Sequence, residues 1–174
     1  MADYRLMSVL TKEYILREIK KGHVKVEPLD EGNVGPASID LTLSNEFRKF
    51  KKDGPINLTE ESMTDEYTEV VQAEKITLEP SEFLHGITEE KITLPENLCG
   101  FLHGRSRFAR LGLLIHATAS LIQPGISNRQ VFEIKNISPR ALVLKRGLKI
   151  GQLILMETKG KARYEGVFKN QESV

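Results

Sequence analysis

Cysteine is all but missing from this chain. Cys99 stands alone in 174 residues, so no intramolecular disulfide can hold the fold. No apolar run approaches the ~20 residues that span a bilayer. The N-terminus also lacks the basic-then-apolar run and small-residue cleavage site of a signal peptide. A soluble protein of a reducing compartment, the cytoplasm, is the expectation. An excess of one charge is missing too: 25 basic side chains face 24 acidic ones, for a formal net charge of +1. Without an overall field, neither nucleic acid nor an anionic membrane is an expected partner, and any anion must be bound locally.

Several catalytic signatures are absent. There is no GxxxxGK[ST] phosphate loop, no GxGxxG and no GxSxG nucleophile elbow. The H-x-E and P-C-x-x-C ligands of the zinc nucleobase deaminases are lacking. His23, His85, His103 and His116 are scattered without metal-ligand spacing, so no bound zinc is expected.

What is present is a pattern of short elements, in a chain of single-domain length (1–174). Thr11 precedes KEYILREIKKG, in which Ile15, Leu16 and Ile19 recur at helical spacing, Leu10 can staple to Ile15, and Gly22 closes the segment. One short N-terminal helix follows from this. After Gly22 come β-prone runs divided by turn residues: HVKVEP, ASIDLTL, NEFRKF, EKITLEP, EFLHGIT, EKITLP, LLIHATA, RQVFEIKN, ALVLKRG and KIGQLILME. Their period-2 alternation indicates an all-β sandwich or barrel rather than βαβ units. EKITL occurs twice, from Glu74 and from Glu90, and reads as two similar edge strands rather than a repeat architecture. The polar, acid-rich stretch from Lys51 to Glu74 reads as a solvated excursion. The tail from Lys159 has the composition of a frayed terminus, but its Tyr164, Phe168, Lys169 and Gln171 allow a binding role.

Two stretches carry chemistry. GRSRFARLG, from Gly104 to Gly112, sets Ser106 and Arg110 four residues apart, on one face of any helical turn between the glycines. With free N–H groups at its start, such a turn is an anion site, and arginine pairs with phosphate bidentately. Solvated surface arginines are the competing reading. In RQVFEIKN, alternation places Phe132 and Ile134 on one face and Val131, Glu133 and Lys135 on the other. If that second face lines a pocket, Glu133 is a candidate general base; otherwise it is a surface carboxylate. His116, in an apolar run, reads as a half-buried, hydrogen-bonded side chain.

In order along the chain, the helix, PASIDLTL, LEPSEFLHGITEEKITLP, GRSRFARLGLLIHATA, the QPG turn, the strand ending in Glu133, LKRGLKIGQLIL and the tyrosine-containing tail resemble the dCTP deaminases, which group with the trimeric dUTPases. The resemblance implies a mainly β, distorted barrel of the dUTPase-like type with a helical turn near 105–111. It implies a homotrimer with active sites at subunit contacts, Mg²⁺ carried on the nucleotide triphosphate, and a tail (159–174) that closes over substrate. The implied reaction is zinc-independent deamination of dCTP to dUTP and ammonia. Glu133 would deprotonate the water, Ser106 and Arg110 would act beside it, and the Ala119 carbonyl would orient the water. Arg105 and the amides through Arg107, Phe108 and Ala109 would bind phosphate. Gln123, Val131, Phe132, Tyr164, Lys169 and Gln171 would complete the nucleotide contacts, and dTTP is a candidate inhibitor. The chain departs from the family at Arg107, where a small hydroxyl is usual, at Asn128 for a glycine, and at Val167 for a lysine. Gln123 stands where an aspartate is usual, and a neutral amide cannot serve as a base, so dUTP is the expected end point. A dUTPase or bifunctional enzyme, and a non-catalytic nucleotide-binding regulator, remain alternatives.

Overall fold

The structure is a computed structural model that describes residues 8–174; residues 1–7, part of the N-terminus read as lacking a signal peptide, lie outside the described residues. The expected helix is present as α1 (Lys12–Lys20). Ile15 is fully buried, and Leu16 and Ile19 pack on the core. Thr11 occupies the N-cap position without a side-chain cap bond.

The strands are β1 (Lys25–Glu27), β2 (Ile39–Phe50), β3 (Thr68–Gln72), β4 (Lys75–Leu78), β5 (Phe83–Thr93), β6 (Leu98–Gly104), β7 (Leu113–Ile115), β8 (Leu121–Ile122), β9 (Ser127–Asn136), β10 (Leu142–Lys145) and β11 (Lys149–Glu157). Two single-turn helices, α2 (Thr64–Tyr67) and α3 (Ser106–Ala109), interrupt them. Nine strands make one curled, half-barrel sheet in the order β7-β9-β5-β2-β11-β6-β8, with β1 also on β5 and β3 also on β2. β4 and β10 form a separate pair. The mainly β class expected from the sequence is the one observed.

Several boundaries differ from the sequence reading. ASIDLTL and NEFRKF are one strand, β2, and EFLHGIT and EKITLP are one strand, β5. Each long strand changes register once along its length, β2 between Leu43 and Phe47 and β5 between Ile87 and Lys91. Such irregularities bend a strand and let a sheet curl without ending. The second EKITL segment is therefore no edge strand, since its residues pair with β1 on one side and β9 on the other. Of LLIHATA only Leu113–Ile115 is strand.

The core lies on one face of the sheet. Phe47, Leu84, Phe132 and Ile134 are fully buried there, and the row Phe47, Gly86, Phe132 runs across β2, β5 and β9. The residues one position along each strand point the other way.

Candidate active site

On that opposite face lies a cavity of about 470 Å³, and Gln123, Val131, Glu133, Ala119, Tyr164 and Gln171 are among the residues that line it. Phe132 and Ile134 turn inward as the alternation requires, so Glu133 opens into the cavity from the middle of β9. Phe132 itself is fully buried. Its side chain therefore faces the core, not the cavity.

Glu133 is held by the loop after β7. His116 has a left-handed backbone, φ 61°, a conformation uncommon outside glycine. The turn it makes brings the His116 N–H onto the Glu133 carbonyl at 2.8 Å. It also swings Thr118 over the carboxylate. The Thr118 N–H donates to Oε2 at 2.8 Å, and the hydroxyl reaches Oε1 at 2.8 Å and Oε2 at 3.0 Å. Burial alone would raise the Glu133 pKa; the Thr118 hydroxyl and amide, aided by His116, outweigh it and hold the carboxyl below its ordinary 4.5. The group is a carboxylate at neutral pH.

The Ala119 carbonyl accepts a hydrogen bond from His116 Nε2 at 2.9 Å, and its second lone pair is left for a water. His116 Nδ1 is buried without a partner, so this histidine is only half satisfied, against the sequence reading. Burial depresses its pKa, the nearby Glu133 charge and the Ala119 bond opposing.

The tail lies along the start of β9. Tyr164 N–H donates to the Pro124 carbonyl at 3.0 Å, the Arg129 N–H to that of Gln171 at 2.9 Å, and Asn128 Nδ2 to that of Phe168 at 2.6 Å. Val174 N–H reaches Glu46 Oε1 at 2.7 Å. Lys169 lines an adjoining cavity and pairs with Glu165 at 2.6 Å.

The excursion from Lys51 to Glu74 is not simply solvated. Ser62 to Asp65 line the main cavity. Asp65 holds the buried Arg48 of β2 at 2.6 Å, and Thr68 accepts from it at 3.1 Å. Sequence reasoning missed Arg48, whose partners are remote in the chain.

The arginine turn stands apart: none of the residues from Arg105 to Arg110 lines the cavity. Arg105 precedes α3 and is committed elsewhere, to Asp40 at 2.9 Å and the Lys149 carbonyl at 2.8 Å. Ser106, Arg107, Ala109 and Arg110 are exposed, while Phe108 packs on the core. Gly112, φ 85°, ends the turn where an added Cβ would fall 2.6 Å from Ser138 Cβ, so this glycine is required.

Among the described residues, no three His, Cys, Asp or Glu side chains are grouped to hold a metal, and no helix is long and apolar enough to cross a membrane.

Residues 9–158 match the model of a family described as dCTP deaminase-like. The chain is 38% identical over 159 residues to a protein of Parafrankia sp. named "dCTP deaminase, dUMP-forming", covering 90% of this chain and 79% of that one. A Mycobacterium tuberculosis protein of the same name is 38% identical over 151 residues, covering 85% and 80%. A crystal structure of 2′-deoxycytidine 5′-triphosphate deaminase from Agrobacterium tumefaciens superposes with a TM-score of 0.68 at 20% identity, over 88% of this chain. The chain spans about half of that structure, 49% of its length. A mutant dUTPase from phage phi11 of S. aureus superposes with a TM-score of 0.53 at 16% identity, covering 83% of this chain and 96% of that one. At these identities the structural likenesses speak for the fold.

Proposed function

The chain belongs to the dCTP deaminase-like family, and from that footing we propose that it deaminates dCTP and then releases pyrophosphate, leaving dUMP. The balance is dCTP and two waters giving dUMP, ammonia and pyrophosphate. This replaces the sequence expectation that the reaction ends at dUTP, because relatives matched over most of their length are named dUMP-forming.

The observation that carries the reading is the Glu133 carboxylate, pinned by Thr118 at the wall of a nucleotide-sized cavity. In the proposed mechanism Glu133 takes a proton from the water that attacks C4 and passes it to the ring nitrogen. It then carries the second water proton to the departing amine, which leaves as ammonia. The Ala119 carbonyl accepts from the attacking water. Fixing that water between a carboxylate and a carbonyl supplies proximity before the barrier is climbed.

The separation of the arginine turn from the cavity supports a homotrimer in which a neighbouring protomer brings Ser106, Arg107 and Arg110 to the nucleotide. The tail, already laid along β9, would close over bound substrate through Tyr164 and Gln171. Mg²⁺ would enter on the triphosphate, held by phosphate oxygens and water, and would neutralise charge on the leaving pyrophosphate.

Gln123 favours a second reading in which the protein stops at dUTP, since an amide can orient a water but not deprotonate it. Incubation of the purified protein with dCTP and Mg²⁺, followed by anion-exchange chromatography and an ammonia assay, separates the two. Equal yields of ammonia, pyrophosphate and dUMP are expected. Accumulated dUTP with ammonia selects the second reading, and tight binding with no product refutes both.

A further inference from the structure

The strand registers align four side chains in one row on the cavity face. Arg48 of β2 stands opposite His85 of β5, and His85 opposite Glu133 of β9. His116 follows on the far side, its N–H on the Glu133 carbonyl. Directly opposed residues have Cβ atoms roughly 4.5–5.5 Å apart, and all four line the same cavity. Arg48, Glu133 and His116 have partners described above. The proposed reaction makes no use of His85.

The ring of His85 is held from the side. It packs edge-on against Phe83 at 5.2 Å between centroids and tilted against Phe50 at 5.7 Å. Among the described residues, the buried side-chain nitrogens lacking partners are Arg48 Nε and His116 Nδ1. Neither nitrogen of His85 is among them, and neither has a hydrogen-bond partner among the described residues. Both are therefore reached by solvent, on an imidazole whose residue lines the cavity one strand from the proposed base.

We propose that His85 is a positioning residue for Glu133: neutral, it leaves the carboxylate on Thr118; protonated, it draws the carboxylate off Thr118 and stops proton abstraction. The physical basis is competition. A neutral imidazole offers at most a weak donor, whereas an imidazolium makes a charge-assisted bond about twice as strong as a neutral one. Glu133 can satisfy that bond only by turning from Thr118 and the water.

The groups facing His85 set when this happens. Burial, first, and the Arg48 charge from β2 keep it below its ordinary 6.5, while Glu133 from β9 pulls the other way. Asp65 offsets part of the Arg48 charge from the far side. Glu46, on the same face of β2, is engaged by the Val174 N–H. Lys135 stands opposite Phe83, two residue pairs along, and His116 lies beyond Glu133. From the tail, Gln171 adds no charge at the cavity, and the Val174 main-chain oxygen accepts from Arg48 Nη2 and offsets more of the Arg48 charge. His85 is thus neutral at neutral pH and gains its charge on acidification.

The decisive experiment follows the His85 Cε1–H resonance of the full chain by NMR against pH, assigned by its loss in His85→Gln. In Glu133→Gln, which removes the attraction, its titration is expected to fall by roughly one unit; in Arg48→Met, which removes the repulsion, to rise by a similar amount. Should Arg48→Met not fold, the Glu133→Gln arm decides alone. An unmoved midpoint overturns the inference. This arm needs no turnover and so stands apart from the proposed function, on which the inference otherwise rests. The second arm measures kcat for ammonia release against pH. In His85→Gln the acid limb is expected to move to lower pH, toward the depressed range of Glu133. A limb unchanged in His85→Gln overturns the inference while leaving the deaminase reading intact. Absence of ammonia from the unaltered protein overturns that reading instead.

Discussion

Replacing Thr118 by Val removes the hydroxyl that touches both oxygens of Glu133, at 2.8 and 3.0 Å, and keeps the N–H bond at 2.8 Å and the side-chain shape. A hydrogen bond to a charged group contributes about 1.5–3 kcal/mol. Thr118 is exposed, so water replaces about half, leaving roughly 0.7–1.4 kcal/mol. At about 1.4 kcal/mol per unit, the Glu133 titration should rise by about half a unit to one unit. Glu133 remains ionised at neutral pH in either case. The expected three- to tenfold fall in kcat, roughly the same energy expressed as a rate, thus reflects lost orientation and not lost charge. Linkage gives a further sign. A carboxyl lowered by folding contributes stability above its ordinary 4.5 and loses it as pH falls through the folded value. The variant has less to lose, so its drop in Tm from about pH 7 to about pH 4 should be smaller. Side-chain ¹³C titration of Glu133, assigned through Glu133→Gln, and ammonia release measure both effects. A Glu133 midpoint identical in the two proteins would refute the claim that the hydroxyl holds the carboxylate.

Glu133→Gln should bind dCTP within about threefold of the unaltered protein by calorimetry and lose about 10²–10⁴ in turnover; a variant keeping a tenth of the rate refutes the base assignment. Gln123→Asp restores a proton acceptor at the cavity and should raise the ratio of dUMP to dUTP on anion exchange, whereas an unchanged ratio would mean that residue 123 does not face the second water. Gly151→Ala places a Cβ 2.4 Å from Phe132 Cε1 and 2.8 Å from Cζ, and overpacking of this kind costs about 1–3 kcal/mol. Its Tm should fall by about 2–4 °C for each kcal/mol, and an unchanged Tm would show that Phe132 yields freely.

The alternation of RQVFEIKN was legible because both of its faces are unambiguous: Phe132 and Ile134 are fully buried, and Glu133 opens outward. Gly112 was legible because a tight turn after a helical segment needs its left-handed backbone. β6 was not. Its buried face reads Leu98, Gly100, Leu102, and the glycine breaks the apolar signal for a reason visible only in three dimensions: an added Cβ would lie 2.6 Å from Leu153 Cδ1. Arg48 and Asp65 were missed for a related reason. Each sits in a locally polar run that reads as solvated, and only the fold joins them at 2.6 Å. The site was divided in the same way: the sequence sets the arginine turn beside the HATA loop, yet the turn packs with β7 while HATA bends back over β9. Proximity along the chain misled where backbone direction decided.

Core packing and the cavity row obey one constraint. In a sheet, a slip of one residue exchanges the two faces of a strand. The register that seats Phe132 opposite Gly86 and Phe47 therefore also brings Glu133 opposite His85 and Arg48. Gly86 fixes that register tightly, because a Cβ there would lie 2.9 Å from Leu43 Cδ1 and 3.0 Å from Ile134 Cδ1. The strands on either side close over a position with no side chain, and no neighbouring residue of β5 could take its place without overlap. A slip of β5 would drive Leu84 outward and cost the burial of a large apolar side chain, about 1.5–3 kcal/mol. It would also turn His85 into the core with no hydrogen-bond partner in sight. Packing thus holds the cation, imidazole and carboxylate in line without a direct hydrogen bond among them.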